Sequence, residues 1–133
     1  MSNLFLRHGE VYNVKNIMYG DIPGYCLSSR GVSQAIEAGK FIHSNFQIEK
    51  IVSSPVLRAR ETSKYIAESL QVEIEISHNL YEWSGVIGWV GTTFDEFSKT
   101  QDYSTYLDNP IDIVNTSEPL EGVFDRVNSL YEN

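Results

Sequence analysis

Arg7-His8-Gly9 closes a short apolar run, Leu4-Phe5-Leu6, and sets a guanidinium beside an imidazole. A neutral imidazole can attack phosphorus, and a guanidinium forks onto phosphoryl oxygens. A strand running into this tripeptide presents both groups at the carboxyl edge of a sheet, where open α/β sheets bind ligands. The glycine lets the backbone turn at a place where a side chain would clash. Arg58 is a second cation of the same kind. It follows a strand-like segment over 50–53, with Ser54 as N-cap and Pro55 as first residue of a helix over 55–70. That places Arg58 in a first helical turn, beside free amides that already favour an anion. Alone, an Arg-His-Gly tripeptide is a chance match and a helix arginine a solvated charge. The remaining elements decide between the readings.

Those elements read as an alternation of strands and helices. Residues 3–6 form the first strand, and a loop rich in turn residues covers 9–28, placed to wall a substrate. A helix over 29–46 carries Val32, Ala35, Ile36, Gly39, Ile42 and Phe46 on one stripe. The helix over 55–70 repeats the pattern with Ala59, Thr62, Ile66 and Leu70. Val72, Ile74 and Ile76 alternate with glutamates, the pattern of a strand with one wet face. Residues 93–108 read as one or two short aromatic-rich helices. The last helix, about 119–131, has an apolar stripe of Leu120, Val123, Phe124, Val127 and Leu130 that calls for a sheet to cover.

A chain of 133 residues with 41% hydrophobic content suits one core and one small domain. No apolar run is long enough to span a membrane, and no charged-then-apolar leader opens the sequence. Cys26 stands alone, so neither an intrachain disulfide nor a cysteine metal cluster is expected, and a cytoplasmic location fits. Charge is uneven: residues 1–70 carry a net of +2 and residues 71–133 a net of −10. That balance disfavours nucleic acid, whose phosphates need Lys and Arg. A small anionic substrate is still admissible, because local arginines govern the field inside a pocket.

Five ordered blocks resemble the histidine phosphatase superfamily, also called phosphoglycerate mutase-like. They are Arg7-His8-Gly9-Glu10; Tyr19-Gly20-Asp21-Ile22-Pro23-Gly24 with Leu27-Ser28-Ser29-Arg30-Gly31-Val32-Ser33-Gln34-Ala35; and Ser53-Ser54-Pro55-Val56-Leu57-Arg58-Ala59-Arg60-Glu61-Thr62. Leu80-Tyr81-Glu82 with Gly85 and Gly88 follows, then Ser117-Glu118-Pro119-Leu120 with Val123 and Arg126. The resemblance implies a three-layer α/β/α sandwich with a mostly parallel sheet, in which residues 1–133 are the N-terminal and middle part of one histidine phosphatase domain. It also implies metal-independent hydrolysis of a phosphomonoester without a cofactor. His8 would take the phosphoryl group, Arg7 and Arg58 would hold its oxygens, and Asn13, Gly20 and Asp21 would line the substrate side. Glu82 matches the family's general acid. Beside a phosphate and among aromatics its carboxyl would keep a proton, ready for the leaving alkoxide.

The family's second histidine, in a late Ser-His-Gly strand, has no counterpart in residues 1–133, and neither His43 nor His78 replaces it. The expectation is therefore a piece of a longer phosphatase, lacking a C-terminal strand and helix, marginally stable and nearly inactive by itself. A short form completed by strand exchange with a second copy is the competing expectation. Phosphoglycerate mutase-type transfer and a weakly catalytic phosphate-binding module are the alternative functions. Sugar phosphates, phosphorylated cofactor precursors and phosphohistidine proteins all stay open as substrates, and the oligomeric state is undetermined.

Overall fold

The computed structural model describes residues 3–83 and 85–131. They fall into two compact units, Met1–Tyr12 with Pro23–His78, and Asn13–Ile22 with Asn79–Asn133. The first unit contains α1 (Ser29–Asn45), β1 (Ile51–Ser53), α2 (Leu57–Leu70) and β2 (Ile74–Ile76). The two strands pair in parallel, Ile51 opposite Ile74 and Ser53 opposite Ile76. Parallel neighbours need a crossover, and α2 is that crossover, giving an α/β architecture.

Local chemistry explains α1. Ser28 is its N-cap, with the hydroxyl accepting from Gly31 N at 3.0 Å. Gly31, Ala35, Gly39 and Ile42 form its buried face, at helical spacing. The small residues let α1 and α2 lie close. A Cβ on Gly39 would stand 2.7 Å from Ser69 Oγ and 3.2 Å from Ile66 Cα. On α2, Ser63 Oγ donates to Ser53 Oγ at 3.2 Å, locking the helix to the end of β1.

The second unit is built on rings. Val86, Trp89, Phe97 and Ile113 are its core, with Met18, Trp83 and Tyr103 packed against them. Trp89 stacks on Phe97 at 5.0 Å between centroids and tilts against Tyr103 at 5.9 Å. Two helices supply part of this cluster: α3 (Phe94–Phe97), started by a Thr93–Glu96 capping box, and α4 (Gln101–Asp108); α5 (Leu120–Asn128) follows in the same unit. The segment 13–22 is joined to it by Met18 N donating to Thr92 O and Gly91 N donating to Met18 O, each at 2.8 Å.

Four expectations need correction. Residues 3–6 belong to no strand ladder among the described residues, and Leu4, Phe5 and Leu6 are 45%, 75% and 55% exposed. An apolar run becomes a strand only where a second backbone supplies the ladder, and no ladder among the described residues includes this one. The strand over 72–76 shortens to β2, and both its faces are exposed rather than one. Next, α2 begins at Leu57 with Val56 as an N-cap that makes no side-chain bond, two residues later than the Ser54-Pro55 signature implies. The Ser54 hydroxyl stands 3.5 Å from Val56 N, at the limit of a hydrogen bond, so the cap that would open the helix at Pro55 is not made. Finally, α5 has no fully buried residue, its unit has no sheet among the described residues, and Phe124 is 67% exposed. Among the described residues no helix is long and apolar enough to cross a membrane.

Candidate functional site

Backbone closure brings His8 to Arg58. The turn after His8 is pinned to the start of α1: Ser28 N donates to Glu10 O at 2.9 Å, and Ser28 Oγ to Glu10 Oε1 at 2.6 Å. Glu10 N donates to Gln34 Oε1 at 2.8 Å. This closure passes through two glycines. A Cβ on Gly9 would lie 2.4 Å from Gly31 O, and one on Gly31 would lie 2.0 Å from Glu10 O. Neither position admits a side chain without moving backbone.

In that frame Arg58 Nε donates to His8 Nε2 at 3.2 Å. An arginine N–H is always a donor, so Nε2 offers its lone pair and the ring is neutral. The ring proton then sits on Nδ1, 2.8 Å from Gly9 O. One tautomer satisfies both contacts, and it is the one a nucleophilic Nε2 requires. Arg58 is only 2% exposed although charged, because it lies in the first turn of α2 against the rest of the unit. Thr62, one turn further on, is 5% exposed. Its Oγ1 accepts from Gly9 N at 3.1 Å and donates to Arg58 O at 2.8 Å.

Arg7 is exposed, and with His8, Gln34 and Thr62 it lines a cleft of about 250 Å³; Arg58 is not in that lining. The structure therefore couples His8 directly to Arg58 and sets Arg7 with His8 on one cleft wall. His43 and His78 are both exposed, one in the last turn of α1 and the other in a 3-10 turn over His78–Leu80.

Asn13, Gly20, Asp21 and Glu82 belong to the second unit. Asn13 closes a loop on itself, with Nδ2 donating to Ile17 O at 2.8 Å and Oδ1 accepting from Ile17 N at 3.2 Å. Gly20 is buried with φ +46°, and a Cβ there would meet Val90 at 3.0 Å. Asp21 is exposed. Glu82 is also exposed, with Oε1 accepting from Trp83 N at 3.1 Å. Its segment is held from both sides: Trp83 Nε1 donates to Glu118 O at 2.9 Å, and Arg126 Nη1 donates to Asn79 O at 2.7 Å.

Arg126 also grips Glu118 with two bonds, Nε to Oε1 at 2.7 Å and Nη2 to Oε2 at 2.9 Å. These bonds hold the Glu118 carboxyl below its usual range and push the Arg126 guanidinium up, against the opposing effect of burial. A carboxyl depressed by folding adds stability above its unfolded pKa and loses it as pH falls through the folded one. The chain should therefore lose its stability advantage over Glu118→Gln as pH drops below about 4.3, the unperturbed glutamate value. Thermal melts of both chains across the acid range would show this, and parallel acid profiles would exclude it.

Several of these functional contacts were not legible as such. Thr62 sits on an apolar stripe and reads as filler, although a threonine four residues after Arg58 naturally returns its hydroxyl to that carbonyl. The Gly9–Gly31 crossing and the bonds of Glu118 and Arg126 to Trp83 and Asn79 each join segments whose meeting no local spacing announces.

Comparison with known proteins gives the family. The family profile described as "Histidine phosphatase superfamily (branch 1)" matches residues 4–133. A 2,3-bisphosphoglycerate-dependent phosphoglycerate mutase of Methanococcus vannielii is 37% identical over 97 residues, covering 66% of this chain and 40% of the relative. A phosphoserine phosphatase of Entamoeba histolytica, solved with 3-phosphoglyceric acid, is 30% identical with a TM-score of 0.67, covering 83% of this chain and 53% of that one. A putative alpha-ribazole-5'-P phosphatase of Escherichia coli shares the fold, with a TM-score of 0.75 at 21% identity over 96% of this chain and 63% of that one. The chain spans no more than 40% of the length of the curated relatives it matches. With the profile running through nearly all of its residues, the chain belongs to the histidine phosphatase superfamily.

Proposed function

We propose that the reaction this chain serves is hydrolysis of a small phosphomonoester through a phosphohistidine on His8, with low turnover by residues 1–133 alone. The contact between Arg58 Nε and His8 Nε2, at 3.2 Å, is the observation that carries the reading. It supports a neutral ring with its lone pair on the nitrogen that attacks, and a buried guanidinium within reach of whatever that nitrogen attacks. In the first step Nε2 forms a bond to phosphorus in line with the departing oxygen, whose bond to phosphorus breaks. Arg58 gives up Nε2 as acceptor and turns its donors to the phosphoryl oxygens, with Arg7 as the second cation. Glu82 is the proton donor to the leaving alkoxide, a role that rests on family resemblance. In the second step water bonds to phosphorus and gives a proton to the Glu82 carboxylate left by the first step, as the bond from phosphorus to Nε2 breaks, giving inorganic phosphate and the free imidazole.

A mutase reading is favoured by one observation, the 37% identity to a phosphoglycerate mutase over 97 residues. The two readings part on the fate of the phosphoryl group. With a radiolabelled phosphomonoester we expect the label to leave as inorganic phosphate. Label passed to a second acceptor, with no phosphate released, would replace hydrolysis by transfer. The likeness to a phosphatase solved with 3-phosphoglyceric acid makes small phosphorylated carboxylic acids the first substrates to try.

A further inference from the structure

We infer that Thr62 is a positioning residue of the phosphoryl-transfer site, its one hydroxyl setting the register of His8 against Arg58; the inference rests on the function proposed above. The hydroxyl accepts from the amide that follows the nucleophile, Gly9 N, and donates to the carbonyl of the arginine itself. Gly9, Arg58 and Thr62 are all buried, so water does not readily replace either bond. The Gly9 carbonyl is the partner of His8 Nδ1. That carbonyl shares its peptide with Glu10 N, held by Gln34 Oε1, while Thr62 holds the preceding peptide through Gly9 N. The two bonds together fix the acceptor that selects the ring tautomer, and with it the direction of the Nε2 lone pair. At its other end the same hydroxyl holds the first turn of α2, from which the guanidinium reaches Nε2. Nucleophile and cation are thus referred to one oxygen atom.

Adjacent Ser63 provides the control. It is also a buried hydroxyl on α2, but it bonds Ser53 Oγ and Arg60 O and touches neither His8 nor Gly9. Three variants, Thr62→Val, Thr62→Ser and Ser63→Ala, separate positioning from packing. The readouts are the ¹⁵N spectrum of the His8 ring and the single-turnover rate of phosphoryl transfer to His8. Thr62→Val keeps the side-chain shape and loses the hydroxyl. It should mix the two tautomers and slow transfer roughly 10- to 100-fold, the range a misplacement of about 1 Å can cost. Thr62→Ser should restore a single tautomer and the rate. Ser63→Ala should leave both unchanged even if it lowers the melting temperature.

A single tautomer and an undiminished rate in Thr62→Val would overturn the inference. If Thr62→Val does not fold, a folded Thr62→Ser with mixed tautomers overturns it equally, as does Ser63→Ala disturbing the ring. If the unsubstituted chain places no phosphoryl group on His8, the proposed function fails. The tautomer comparison still decides what Thr62 does.

Discussion

Replacing His8 by alanine is expected to abolish an acid-labile, base-stable phosphoryl group that the chain takes from a phosphomonoester. The expectation follows from where lone pairs are available. His8 Nε2 accepts from Arg58 and Nδ1 faces Gly9 O, so the ring holds Nε2, the proposed nucleophile, against a cation that can receive phosphoryl oxygens. His43 and His78 are exposed on a helix end and a 3-10 turn. Loss of a nucleophile that forms a covalent intermediate can lower turnover by roughly 10⁶-fold, so labelling should fall to background. The substitution removes no backbone bond of the Gly9–Thr62–Arg58 chain, and a cooperative melt should persist beside the lost label. Labelling that survives His8→Ala would move the covalent step to another residue and end the mechanism as proposed.

Both groups of this pair were legible because each follows a segment with its own signature. Arg7-His8-Gly9 ends an apolar run, and Arg58 opens a helix after one. Meeting of the two needed only the packing that Gly31, Ala35 and Gly39 announce as a small-residue face on α1. The strand over 3–6 was a different matter. Its composition expresses β propensity, but a ladder is a property of two backbones, and one sequence window holds only the first. The start of α2 shows a local signal that the packed chain does not use. Ser54-Pro55 resembles a cap, yet the Ser54 hydroxyl stands 3.5 Å from Val56 N and the helix opens at Leu57. Glu118 and Arg126 were visible as blocks of the family resemblance. Their grip on Asn79 and Trp83 depends on a fold-back of about forty residues that no spacing encodes. Thr62 was placed on the right face of the right helix. Only the arrival of Gly9 N gives its hydroxyl a second task.

Arg58→Ala should reduce the rate of phosphoryl transfer by at least about 10²-fold, or about 2.7 kcal/mol, the effect of losing one preorganised donor to an oxyanion. Two features make this the sharpest test of the site after His8. Thr62 bonds the backbone carbonyl of Arg58, so that anchor survives removal of the side chain. His8 likewise keeps its Nδ1 contact with Gly9 O. The substitution therefore leaves the nucleophile's tautomer held while it removes the guanidinium, which is 2% exposed and hence little screened by solvent. Arg58→Lys adds a second discrimination. An ammonium restores charge but not the planar set of donors, so it should recover anion binding better than rate. Vanadate affinity and single-turnover phosphorylation measured on the same two variants would separate these contributions. If Arg58→Ala transfers phosphate with an unchanged rate constant, the arginine serves the fold alone. The 3.2 Å contact with His8 would then be packing rather than chemistry.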